Sequence, residues 1–132
     1  MRKEKGVYVL ETTDYKILDT VYLLNQDSYY PLPEGVYKIL TGSEDEDVVM
    51  FNHLPTYKTL ISYGSKKISR YIIMLIRYKY LERVYDEKSD KLYLKVSTQG
   101  ELALVKYHKK HKYTFKQKQV NLEPTIVKLN LK

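Results

Sequence analysis

Residues 62–81, SYGSKKISRYIIMLIRYKYL, constrain this chain more than any other stretch. At about 100° per residue, Ile68, Tyr71, Ile72, Leu75 and Ile76 fall in one broad sector, as the core-facing stripe of an amphipathic helix does. Lys66, Arg70 and Arg77 fall on the opposite side, with Met74 among them and Lys67 farther round. The period then changes at once. Leu81 to Tyr85 and Lys91 to Val96 run in near alternation on either side of the polar turn Asp86 to Asp90, the pattern of a β-hairpin. A helix with a basic outer side, followed directly by a hairpin, raises the question of what that side meets.

Upstream, Val7 to Leu10 reads as a short strand or an extended arm. Asp14 is the expected N-cap of a first helix that carries Ile17, Leu18, Val21, Tyr22, Leu24 and Asn25. Pro31 and Pro33 stop that helix, because the residue before a proline is disfavoured in the helical conformation. A second helix is expected from Glu34 to Leu40, ending at Gly42, where a positive φ is easily accommodated. Val48 to Phe51 reads as one helical turn or a short strand, inside a compact loop that Pro55 interrupts. Beyond the hairpin, Ser97 or Thr98 can cap a last helix running to about Lys110 with Leu102, Leu104, Val105 and Tyr107. The ending, with Ile126, Val127, Leu129 and Leu131, suits a final strand or a disordered tail.

A chain of 132 residues supports one core with tails. The expected division is an arm over 1–13, a domain over 14–112 and a basic tail or strand over 113–132. Without cysteine there is no disulfide framework, thiolate nucleophile or thiolate-bound zinc. No apolar run reaches the length of a signal-peptide core or a membrane span, so a cytoplasmic address and no membrane partner are expected. The net charge of +7 is unevenly spread. Lys106, Lys109, Lys110, Lys112, Lys116, Lys118, Lys128 and Lys132 face only Glu101 and Glu123, which favours a polyanionic partner.

The order helix, helix, helix, hairpin, helix is that of a mostly helical α+β fold, a winged helix. Its helix-turn-helix presents the third helix to DNA, and the hairpin is the wing. Several residues then carry a more specific likeness. YKILTGSEDEDV (Tyr37 to Val48) has Leu40, Gly42 and Ser43 where an L-x-G-S helix end is sought, and HLPTYK has Leu54, Thr56 and Tyr57 of an L-S-T-Y-G signature. ISRYIIMLIRYKYLE matches W-x-x-L-I-x-x-L-I-x-x-G-Y-L at Ile72, Leu75, Ile76, Tyr80 and Leu81, and LYLKVSTQG matches L-x-L-T-x-x-G at Leu92, Leu94 and Gly100. Lys58 and Lys79 stand where that pattern has glycines, and Ile68 where it has an aromatic ring. In this order, from about Asp14 to Lys110, the segments resemble the RQC domain, the winged helix that follows the motor of RecQ-family DNA helicases.

The resemblance implies binding to duplex or branched DNA through backbone contacts from helices and wing, with a helicase or other DNA-processing protein as a further possible partner. In helicases the hairpin also serves as a strand-separating wedge. Here its tip DEKSD is acidic and the nearest ring is Tyr85 on the strand, which argues against a wedge. No phosphate-binding G-x-x-x-x-G-K-[ST] loop, G-x-S-x-G or H-E-x-x-H motif is present, so a non-catalytic protein without cofactor or metal is expected. His108 and His111 sit three apart with no third ligand near in sequence.

The candidate nucleic-acid set is Lys66, Lys67, Arg70 and Arg77 on the third helix, with Lys106, Lys109, Lys110 and Lys112 as a flank where cations alternate with rings. A plain solvated helix face is the competing reading of both groups. Tyr57 and Tyr63 are candidates for stacking on bases, with a core role equally open. The outer face of the third helix offers no Asn or Gln to read adenine, so weak sequence preference is expected. An interaction module built on the same scaffold is the alternative, suggested by the acidic wing tip and by Ile126 to Leu131 as a segment for a partner's sheet edge. A homodimeric transcription regulator is a third reading; the sequence is silent on oligomeric state.

Overall fold

A computed structural model describes residues 2–4 and 7–110. Two short strands, β1 (Arg2–Glu4) and β2 (Val7–Val9), pair antiparallel and lead into α1 (Thr12–Gln26). Then come α2 (Pro33–Thr41), one 3-10 turn at Val49–Phe51, α3 (Ser65–Arg77), the hairpin β3 (Leu81–Asp86) and β4 (Lys91–Val96), and α4 (Thr98–Lys110). The class is α+β, with four helices among the described residues. None of these helices is long and apolar enough to cross a membrane. The chain divides after Glu101 into two units, and the described part of the second is the remainder of α4.

The core follows the apolar spacing. Ile17, Leu18, Val21 and Leu24 of α1 are buried, as are Val36, Ile39 and Leu40 of α2, and Ile68, Ile72 and Leu75 of α3. Leu81, Leu94 and Val96 join them from the hairpin. Helix α1 packs on α2, α3 and β4, while α3 also packs on α2 and β3. Strand β4 keeps no open outer edge along its buried half. The Leu94 N–H donates to the Pro31 carbonyl at 2.8 Å, and the Asn25 side chain bonds both the Val96 N–H (3.0 Å) and the Leu94 carbonyl (3.4 Å). Asn25 thus stands in for a neighbouring strand, which satisfies backbone groups that burial would otherwise leave unpaired.

Asp14 does not cap α1. The helix starts earlier, with Glu11 as N-cap, and Asp14 lies in the first turn, where it accepts the Glu11 N–H at 2.8 Å. The reason lies upstream in the chain. Tyr8 is buried, stacks on Tyr78 at 5.1 Å, and donates its hydroxyl to Asp14 at 3.1 Å, so the carboxyl is drawn under the arm. Burial raises the Asp14 pKa from an ordinary 3.8 to about 6, against the opposing effect of its hydrogen-bond donors. Between those values the folded chain holds a proton that the unfolded chain has lost, so stability falls as pH rises. The stability of the native chain relative to Asp14→Asn is expected to drop by about 2 kcal/mol from pH 4 to pH 7, allowing for partial screening. Urea midpoints across that window check this; an unchanging difference would mean that the carboxyl is charged in the fold.

The long connection 42–64 docks on α2. Lys58 N–H donates to the Ile39 carbonyl at 2.9 Å and Leu60 N–H to the Leu40 carbonyl at 2.8 Å, so the loop occupies acceptors left open at the helix end. Thr20 gives its hydroxyl proton to the Lys16 carbonyl at 2.8 Å, so in the buried Thr20–Thr56 pair, 2.5 Å apart, Thr56 is the donor. Leu54 and Val48 extend the core to Leu24 and Ile39 beneath this loop. Asp45 and Asp47 hold Lys38 at 3.1 and 3.2 Å, and Glu34 is 3.7 Å from the same amine. The acidic loop is therefore not merely solvated; it is tied to α2.

Lys58 and Lys79 adopt φ of 67° and 70°. A side chain in the left-handed region costs about 1 kcal/mol, which glycine avoids. Lys58→Gly and Lys79→Gly are each expected to raise stability by about 0.5–1 kcal/mol, opposite to the usual effect of a new glycine. Chemical denaturation of each variant measures it.

Candidate nucleic-acid interface

Helix α3 forms because Ile68, Ile72, Leu75 and Ile76 keep to one stripe, and it ends where Lys79 turns left-handed. Its buried residues are Ile68, Ile72 and Leu75; Ile76 and Tyr71 are half-buried at the margins. Lys66, Lys67, Arg70 and Arg77 are all exposed. The helix contains no acidic residue, and two lysines occupy its first turn. Cations there oppose the partial positive charge of the helix N-terminus by about 0.3–1 kcal/mol each. Among the described residues, none of the α3 cations forms an ion pair with a carboxylate. Arg77 makes a long contact to the Met74 sulfur, at 3.9 Å.

Lys67 differs from the other three. Its amine lies 4.6 Å from the centre of the Tyr63 ring, an attraction between a cation and the face of an aromatic ring. The Tyr63 hydroxyl is 3.3 Å from that of Thr13, so the ring is held between α1 and the start of α3. The outward set is thus Lys66, Arg70 and Arg77, with Lys67 and Tyr63 as a coupled pair beside it. Tyr57 lies elsewhere. Its ring packs on the cluster of Leu24, Ile39, Val48 and Leu54, and its hydroxyl donates to the Ser43 carbonyl at 2.9 Å. Tyr71 donates to Glu11 at 3.0 Å, and burial together with that carboxylate raises its pKa. Most of these tyrosines therefore act as core rings with a polar tip that needs a partner.

At the hairpin tip the acids build the turn. Asp86 accepts both the hydroxyl (2.8 Å) and the N–H (3.3 Å) of Ser89, and Asp90 accepts the Tyr85 hydroxyl at 2.6 Å. That hydrogen bond raises the Tyr85 pKa and draws the phenol to its own turn. Arg83 was not singled out in the sequence. The register pairs it with Leu94, so on β3 it shares the face of Leu81 and Tyr85, turned toward α3. The two-residue period was the signal that placed it there.

In the second unit, Lys106, Lys109 and Lys110 are exposed on α4, and Tyr107 and His108 meet edge to face at 5.6 Å. Lys112, His111 and the stretch 113–132 lie outside the described residues. No family model matches the chain, and no curated protein is significantly similar to it.

Proposed function

We propose that this protein is a winged-helix DNA-binding protein of RQC type that holds duplex or branched DNA by its phosphates and catalyses no reaction. The observation that carries the reading is α3 itself: a helix of cations without acids, two of them against the helix dipole, and no ion pair to a described residue to explain them. A helix shaped for stability alone would carry acids in its first turn and oppositely charged pairs along its face. Phosphates at the outer face supply the missing counter-charge. Lys66, Arg70 and Arg77 are the central contacts and Lys67 with Tyr63 borders them; Lys106, Lys109 and Lys110 of the second unit are further candidate phosphate contacts in their own right.

The RQC reading draws support from how its matched segments meet. Ser43 accepts the Tyr57 hydroxyl, and a Cβ on Gly42 would meet Lys58 Cγ at 2.5 Å. Of the four positions where the family pattern has glycine, Gly42, Lys58 and Lys79 have φ of 80°, 67° and 70°. At the fourth, Gly100, a Cβ would strike the Tyr80 carbonyl. The backbone keeps the glycine geometry even where the residue has changed. The order of α1, α2, α3, hairpin and α4 agrees with a winged helix, and a role in replication, repair or transcription follows from DNA binding of this kind.

Fluorescence anisotropy of a labelled duplex, a fork and a single strand over a salt series tests the reading. About four phosphate contacts give roughly a 100-fold loss of affinity between 50 and 200 mM salt, with little dependence on sequence. Absence of binding to all three at low salt would sink it.

A further inference from the structure

We infer that the trough between α3 and the hairpin is a docking groove for an acidic segment of another protein that carries two neighbouring large apolar side chains. The trough has a volume of about 310 Å³ and is lined by Ile72, Ile73, Ile76, Leu92, Leu94 and Arg83. Pro33 and Ser69 complete the lining, and Ser69 is its polar group besides Arg83. Ile73 and Leu92 are 49% and 43% exposed, so both walls present apolar surface to solvent. Phosphate binding gives no reason for an exposed isoleucine here. Ile73 lies three residues from Arg70 and four from Arg77, at the border between the apolar stripe and the cationic face.

Charge identifies the occupant. Arg83 is in the wall and Arg70 and Arg77 flank Ile73, while Glu82 and Asp86 alternate onto the opposite face of the hairpin. An apolar floor with arginines at its rim and no carboxylate among its lining residues is the complement of leucine-like anchors set among glutamates or aspartates. A small metabolite fits the site poorly, since only Ser69 and Arg83 offer polar contacts in the lining. The segment and a DNA backbone would use the same arginines, so each excludes the other. The groove argument stands whether or not DNA binds.

The test uses the full chain and a short fluorescein-labelled peptide of glutamates with two leucines at i and i+3 spacing. Saturable binding is expected, and it should weaken about tenfold in Ile73→Ser and in Leu92→Ser, the typical effect of losing one apolar anchor. Both side chains are exposed, so the folds of the variants, checked by their thermal midpoints, should persist. Failure of the leucine peptide to bind, equal binding of a peptide with serines for leucines, or no loss in either variant would overturn the groove. Duplex anisotropy on the same proteins keeps the two readings apart. Peptide binding without DNA binding supports the groove and removes the proposed function; DNA binding without peptide binding does the reverse.

Discussion

Arg70→Glu combined with Arg77→Glu is expected to weaken duplex binding by more than about 100-fold at moderate salt, because two contacts are lost and two repulsions take their place. The salt slope should fall by about two contacts' worth. Stability should change little, since both side chains are exposed and neither has a carboxylate partner among the described residues; the cost is at most about 1 kcal/mol from an acid near the helix C-terminus. Lys66→Glu is the converse experiment. It places an acid in the first turn of α3, where it should add about 0.5 kcal/mol of stability while weakening DNA binding. A variant that becomes more stable and binds DNA worse would show that the native lysine is kept for binding. If the double reversal binds duplex as the native chain does, α3 is not the DNA-contacting element.

Elements with a strong period were legible in the sequence, and their packing partners were not. The stripe of α3, the Gly42 end of α2 and the register of the hairpin all follow from spacing that acts within a few residues. Asp14 misled because an aspartate before an apolar run normally caps. Only the fold brings Tyr8 over it and so moves the cap to Glu11. Tyr57 and Tyr63 looked alike in sequence, yet one hydroxyl reaches the Ser43 carbonyl just past the end of α2 and the other reaches Thr13, fifty residues away. Asn25 followed the helical spacing, and nothing local revealed that its amide closes the edge of β4. The left-handed turns at Lys58 and Lys79 were not legible, since lysine itself carries no preference for positive φ.

Gly100→Ala and Gly35→Ala make the same chemical change within the first turn of a helix, and opposite outcomes are expected. Helix propensity favours alanine at both positions by about 1 kcal/mol. At Gly35 the new methyl has space, its nearest neighbour being the Pro31 Cβ at 4.0 Å, so a gain of about 0.5–1 kcal/mol should appear in full. At Gly100 a Cβ would collide with the Tyr80 carbonyl and lie 2.8 Å from the Val96 Cγ1. That carbonyl cannot give way cheaply. It accepts the Ser97 N–H at 3.1 Å, and the Ser97 hydroxyl, which donates to the Lys79 carbonyl at 2.6 Å with the Tyr80 carbonyl 3.0 Å away, accepts the Gly100 N–H at 3.0 Å and so caps α4. Moving α4 away from Tyr80 breaks this set and pulls Val96 from the core. Gly100→Ala should therefore lose about 3 kcal/mol, by overpacking against backbone rather than against a movable side chain. Urea denaturation of the two variants beside the native chain decides it: if Gly100→Ala is as stable as Gly35→Ala, the start of α4 does not rest on the Tyr80 carbonyl.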